Sequence, residues 1–229
     1  LHRVLNAALP SLLVIVCALL APLPGQAADA GAAAWRAMDI LELAERLTDQ
    51  GLARDDALAL IVAARMKLRY GGREVDRQPL RPSGRAMAVT VALPRPAPHP
   101  RSATALLARA RTLAAGRADL LALIDDAAQE RARGNDDGPS QHTRVSVGHT
   151  TDTYRLRFRV GEPATVLISG DGGTNLDLYV FDGRGARVCA AEKLDDVEVC
   201  RWQPAANGDF TVQIVNRGRA ENAYVMRSN

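Results

Sequence analysis

The hydrophobic period of this chain changes once, at Gly134-Asn-Asp-Asp-Gly-Pro139, and that change sets what it can fold into. Before it, apolar residues recur at helical steps. Trp35, Met38, Leu41 and Ala44 make one series, and Leu58, Ile61, Ala64 and Leu68 another. After it the period is two. In Tyr154-Arg-Leu-Arg-Phe-Arg-Val160 the apolar residues Tyr154, Leu156, Phe158 and Val160 face a core, and the three arginines face away. The expected class is therefore α+β: helix hairpins first, then an antiparallel β-sandwich.

Further strands are expected at 143–147, 164–169, 176–182, 187–190, 197–202, 210–216 and 223–227, separated by Gly, Asp, Asn and Pro turns. The domain plan is a helical segment over 28–133, a linker over 134–142 and a sandwich over 143–229. Gly51 is expected to end the first helix, and Gly71-Gly72 the second. Six prolines between Pro79 and Pro100 mark a loop over about 73–101, inside which 86–93 reads as a short strand or helix. Helices resume over 102–115 and 118–133. Arg54-Asp-Asp-Ala-Leu-Ala-Leu-Ile61 is echoed by Arg117-Ala-Asp-Leu-Leu-Ala-Leu-Ile124, as in a hairpin used twice.

Residues 1–27 read as a secretory signal. Arg3 precedes an apolar run from Val4 to Leu20, and the small residues Gly25 and Ala27 place cleavage after Ala27. Pro10, Pro22 and Pro24 argue against a membrane span, which needs about 20 uninterrupted apolar residues. The expected location is periplasmic or secreted, with no integral membrane segment after cleavage. Cleavage leaves two cysteines, Cys189 and Cys200, in a disulfide-permissive compartment, on two consecutive strands where a bridge staples a hairpin. The charge balance of 29 basic against 26 acidic residues gives no case for nucleic acid.

The order of motifs in the second half is informative. Ser169-Gly-Asp-Gly-Gly-Thr-Asn-Leu-Asp-Leu-Tyr-Val-Phe-Asp182 is followed by Trp202-Gln-Pro204, then by Gly208-Asp-Phe-Thr-Val-Gln-Ile-Val-Asn216 and Asn222-Ala-Tyr224. This series resembles the bacterial pre-peptidase C-terminal domain. The resemblance implies a jelly-roll-like sandwich of the kind appended to exported enzymes. It supplies no catalytic residues, and no peptidase domain precedes the sandwich in this sequence. The chain is also similar to exported bacterial proteins that join a short helical segment to such a sandwich.

Three candidate sites follow. Asp171, Asn175 and Asp177 place oxygen-rich side chains at short spacing in a Gly-containing turn, the donor chemistry that calcium takes. The resemblance adds that some relatives bind calcium, although Asn175 stands where the family pattern has an aspartate. The alternative is that these side chains hydrogen-bond loop amides. Arg155, Arg157 and Arg159 form a stripe with about 6.6 Å between stems, suited to an anionic polymer or lipid headgroup, or else solvated and paired with carboxylates. Tyr179 and Phe181 share the strand face opposite Leu176, Leu178 and Val180, as a carbohydrate platform or a covered surface. Trp202 and Trp35 read as packing anchors.

No catalytic constellation appears. His2, His99, His142 and His149 contain no His-x-x-x-His pair, and neither a Gly-x-Ser-x-Gly elbow nor a phosphate-binding Gly-x-x-x-x-Gly-Lys loop occurs. The expectation is a non-catalytic, exported binding or adaptor module of the bacterial envelope, with a protein or glycan ligand and no cofactor beyond calcium. The alternatives are an envelope protein that acts by self-association, and an accessory appendage of a secreted hydrolase.

Overall fold

In the computed structural model, residues 24–83, 100–130, 139–195 and 197–229 are described, with 24–32 and 81–83 as backbone. Two helical hairpins precede the sandwich: α1 (Pro24–Arg54) with α2 (Ala57–Tyr70), and α3 (Ala103–Leu113) with α4 (Ala118–Gln129). The first hairpin turns on two aspartates. Asp55 takes a positive φ of 51°, a conformation that Asp tolerates better than most residues. The Asp56 N–H then donates to the Gly51 carbonyl at 3.0 Å, closing α1, while the Asp56 carboxylate accepts from the Ala59 N–H at 3.1 Å, opening α2.

Gly51 therefore does not end the first helix, which runs on to Arg54. It is needed for a different reason: a Cβ there would lie 2.6 Å from Leu60 Cδ2, so the glycine lets α1 and α2 approach closely. The second helix does end at Gly71-Gly72, and Gly72 has a φ of +79°. Leu60, Ile61, Ala64, Leu106, Ala110 and Ile124 form the helical core. The echoed segments both lead into the second helix of a hairpin, and their isoleucines, Ile61 and Ile124, meet in that core.

The strands are β1 (Arg73–Glu74), β2 (Leu80–Ser83), β3 (Ser140–Ser146), β4 (Thr151–Phe158), β5 (Ala164–Ser169), β6 (Leu176–Phe181), β7 (Arg187–Ala191), β8 (Val197–Trp202), β9 (Gly208–Asn216) and β10 (Asn222–Ser228). They make two sheets, in the orders β1-β3-β10-β5-β8 and β2-β4-β9-β6-β7. All pairs are antiparallel except β1 with β3. The linker expected over 134–142 is shortened by β3, which begins at Ser140. Tyr154, Leu156, Phe158, Leu178, Val212 and Tyr224 lie in the core between the sheets.

Both lateral edges of the sandwich are closed, and both closures correct the sequence reading. Residues 73–83 are not all loop: they form a strap whose β1 extends one sheet and whose β2 extends the other, joined by the irregular segment 75–79. The Arg77 guanidinium donates to Ser140 Oγ at 2.8 Å, and His142 Nδ1 lies 3.1 Å from the Val75 carbonyl. Pro82 is tolerated because β2 is an edge strand. The strand or helix expected over 86–93 lies outside the described residues. At the opposite edge, β7 and β8 are consecutive but belong to different sheets. The Cys189–Cys200 disulfide, with a Cα–Cα distance of 5.8 Å, ties the two sheets together and does not staple a hairpin.

The helices dock on the outer face of the first sheet. Ala164, Val166 and Ile168 of β5 point into the sandwich, whereas Leu167 packs against Met38 and Leu41 of α1. All six residues of β5 are buried as a result. Beside this contact lies an ion cluster. Glu45, fully buried, accepts from Lys67 Nζ at 2.5 Å, Arg101 Nε at 3.1 Å and Arg227 Nη1 at 3.2 Å. Burial alone would raise the Glu45 carboxyl, but these three cations pull it down to about 2. Burial and the two neighbouring guanidinium groups lower Lys67 to about 8, against the attraction of Glu45. Arg201 of β8 adds a bond to Asp39 at 2.9 Å and one to Glu42.

Trp35 is 36% exposed and does not anchor this interface. No helix among the described residues is long and apolar enough to cross a membrane.

Candidate functional site

The three sites read from the sequence have different fates. Arg155, Arg157 and Arg159 are all exposed. Arg157 Nε bonds Asp209 Oδ1 at 3.1 Å, Arg159 Nη1 lies 3.7 Å from Glu162, and Arg159 falls one residue beyond the end of β4. The stripe is thus partly matched by carboxylates.

Asp171 holds its loop. One carboxylate oxygen accepts from the Gly173 N–H and the other from the Ala223 N–H, both at 2.9 Å. Asp177 is buried and accepts from Arg217 Nε at 2.5 Å, Tyr179 Oη at 3.1 Å and Asn175 Nδ2 at 3.3 Å. The Asn175 side-chain amide oxygen is buried with no hydrogen-bond partner, while its backbone carbonyl accepts from the Arg217 N–H at 3.0 Å. Among the described residues no group of three or more His, Cys, Asp or Glu side chains is placed to hold a metal ion.

The expected aromatic platform is altered most. Tyr179 is only 8% exposed, and its hydroxyl, with one hydrogen to donate, lies within hydrogen-bond reach of both the Asp177 and Glu192 carboxylates and accepts from Arg217 Nη2 at 2.7 Å. Burial and these two carboxylates push the phenol up to about 12. Tyr179 is therefore a pinned member of a polar network, and Phe181 beside it is half-buried. Glu192 and Arg217, which the sequence reading missed, lie in loops where no periodicity marks them.

A concave site forms instead at one end of the sandwich. Trp202, the last residue of β8, lies with its ring centroid 4.8 Å from Phe158 and 5.4 Å from Phe210. Beside this cluster runs a groove of about 500 Å³ between the β6–β7 turn and the 203–208 segment. Arg184, Val188, Trp202, Pro204, Asn207 and Phe210 line it. A second hollow of about 480 Å³, lined by Arg157, Phe158 and Arg159, shares Asn207 and Gly208 with it.

The groove walls are fixed locally. The Asp182 carboxylate accepts from the Arg184 and Ala186 N–H groups, both at 2.9 Å, so the turn is tied to its own side chain. Asn207 Oδ1 accepts from the Val160 N–H at 2.7 Å, and Gln203 Nε2 donates to the Gly161 carbonyl at 3.2 Å. Inside this frame the Trp202 indole N–H is buried with no hydrogen-bond partner. The sequence reading of Trp202 as a packing anchor is correct for its ring and silent about its nitrogen. The arrangement is suited to holding a ligand; its lining contains no nucleophile paired with a base.

No family model matches the chain, and no curated protein matches it. Among solved structures, it is similar to the pre-peptidase C-terminal domain of a Bacillus anthracis collagenase, at a TM-score of 0.34 and 10% identity, over 39% of this chain and 87% of that one. It is also similar to PliG of Aeromonas hydrophila, a periplasmic inhibitor of g-type lysozyme, at a TM-score of 0.30 and 16% identity, over 40% of this chain and 86% of that one.

Proposed function

We propose that this chain is an exported, non-catalytic binding module of the bacterial cell envelope, and that its protein or glycan ligand seats in the end groove. The observation that carries this reading is a groove of about 500 Å³ beside the Phe158–Trp202–Phe210 cluster, whose two walls are held by their own hydrogen bonds. The signal-like residues 1–27 and the Cys189–Cys200 bridge support export. The ordered motifs from Ser169 to Tyr224 support reading the sandwich as a relative of the pre-peptidase C-terminal domain.

Co-sedimentation with murein sacculi and outer-membrane fragments, in calcium and in chelator, tests the proposal. Wild-type protein is expected to pellet. Ala206→Trp, which fills the groove from an exposed position, is expected to stay in the supernatant. Failure of the wild type to pellet, or equal pelleting of the variant, removes the reading.

A further inference from the structure

We infer that the strap over 73–83 is an acid-released clasp, held shut on the sandwich edge by a neutral His142 and let go when that ring is protonated. The strap has little apolar anchorage. Both β1 side chains are exposed, and of residues 73–80 only Val75, Arg77 and Pro79 are partly buried. Its backbone donates to β3 and the residue before it, from Arg73 to the Pro139 carbonyl at 2.9 Å and from Val75 to the Gln141 carbonyl at 2.8 Å. His142 beneath it is 5% exposed, with its ring edge-on to Tyr154 at a centroid distance of 5.6 Å.

The ring meets a donor and an acceptor, both from the strap. Nδ1 lies 3.3 Å from the Arg77 backbone nitrogen and 3.1 Å from the Val75 carbonyl. A neutral imidazole fits either way: Nδ1 accepts from Arg77, or it carries the hydrogen and donates to Val75. The cation fits neither way. Its Nδ1–H opposes the Arg77 N–H, and Nε2, buried with no hydrogen-bond partner, becomes a charged donor without an acceptor.

The surrounding charges do not reverse this. Burial lowers the ring most and Arg144 on β3 adds to it, while the Val75 carbonyl, Glu74 and Asp76 pull the other way without restoring the ordinary 6.5. The strap also carries Arg73 and Arg77, the latter bonded to Ser140 Oγ. On β4 and β10, the Tyr154 hydroxyl meets that of Tyr224, which donates to Asp152, and Asp152 is paired with Arg144. With the strap open, the solvated ring protonates near its ordinary value. Closure is therefore strongest above 6.5, and below it weakens by up to about tenfold per pH unit until the closed-state value is reached. Release unpairs β1 from β3 and β2 from β4, far above the pH at which Glu45 titrates.

Amide exchange of the full-length protein, read residue by residue and corrected for intrinsic rates, tests this at about pH 7.5 and about pH 5.5. The Val75 and Arg77 amides are expected to exchange about tenfold faster at the lower pH, while β9 keeps its protection. His142→Gln keeps an amide that can accept from Arg77 and donate to Val75 but does not titrate, and is expected to abolish the difference. Glu74→Gln removes the exposed carboxylate that accepts from Gln141 Nε2 at 2.8 Å, and is expected to preserve it. A wild-type change under about twofold overturns the inference. So does an acid response that survives His142→Gln, one that vanishes in a Glu74→Gln strap still protected at neutral pH, or loss of β9 protection together with the strap. Where His142→Gln melts early, the wild-type ring decides by nuclear magnetic resonance. Titration of His142 in step with strap exchange supports the clasp, and titration beneath a strap that stays protected overturns it.

Discussion

Glu45 shows how one residue can decide whether two halves of a chain stay together. It is a single anion sealed among three cations, from α2, from the residue before the α3 cap and from β10. Removing its charge takes away the one carboxylate that the three buried cations share, while Asp49, 2.8 Å from Arg101, is more than half exposed. Breaking a buried ion pair on one side costs about 3–5 kcal/mol. Glu45→Gln is therefore expected to lower stability by an amount of that order in urea titration, and a change under about 1 kcal/mol would contradict the cluster's role. The helical series of Leu41 and Ala44 says nothing of Glu45 beside it, because its partners lie 22, 56 and 182 residues away, beyond any short window. Tyr179 is a similar case. Alternation put it correctly on the face opposite Leu178, but the cover supplied by Glu192 and Arg217 comes from distant loops.

At the level of elements, the strands were legible because each carries its own alternation or apolar run, and β4 carries it most strictly. Which strand joins which sheet was not, because pairing depends on contacts between residues far apart in sequence. β7 and β8 look like hairpin neighbours, yet β7 pairs with β6 and β8 with β5. The strap was illegible for another reason: a two-residue strand with both side chains exposed has no period to detect. This topology gives the disulfide a specific mechanical role. Its loop spans 11 residues of sequence separation, for which chain entropy contributes about 3 kcal/mol at most. A Cys189→Ala/Cys200→Ala variant is expected to melt earlier by up to that amount while keeping its β-type circular dichroism. The loss should appear first as faster amide exchange in β7 and β8, the strands it joins. Unchanged exchange there would show that the bridge does not hold that edge.

Across the whole molecule, the helical hairpins form a third layer whose attachment depends on pH at both ends of the scale. Glu45 titrates at about 2 in the folded state against an ordinary 4.5, so the stability it contributes is complete above 4.5 and is lost as pH falls from there toward 2. That loss is about 3 kcal/mol for a shift of this size. Lys67 has the opposite sign. Its folded value of about 8 lies below the ordinary 10.5, so the charged form opposes folding, and stability from this group rises as pH climbs from 8 to 10.5. Other groups packed around the contact carry shifts too: the Arg201 guanidinium and the lowered Glu42 carboxyl hold its rim, and they weaken in acid as Glu42 protonates. The sandwich interior, by contrast, is held by the Cys189–Cys200 bridge, its apolar core and the Tyr154–Tyr224 hydroxyl contact at 2.5 Å, none of which depends on Glu45. Acidification should therefore detach the helices before it opens the sandwich. Hydrogen exchange of the intact chain at pH 7, 4 and 3 checks this, after correction for intrinsic exchange rates. Protection in α1, and in β5 beneath it, is expected to fall by pH 3 while protection in β9 persists. Simultaneous loss in α1, β5 and β9 would mean that the three layers unfold as one unit, and that the ion cluster stabilises the whole fold and not only the attachment of its helical layer.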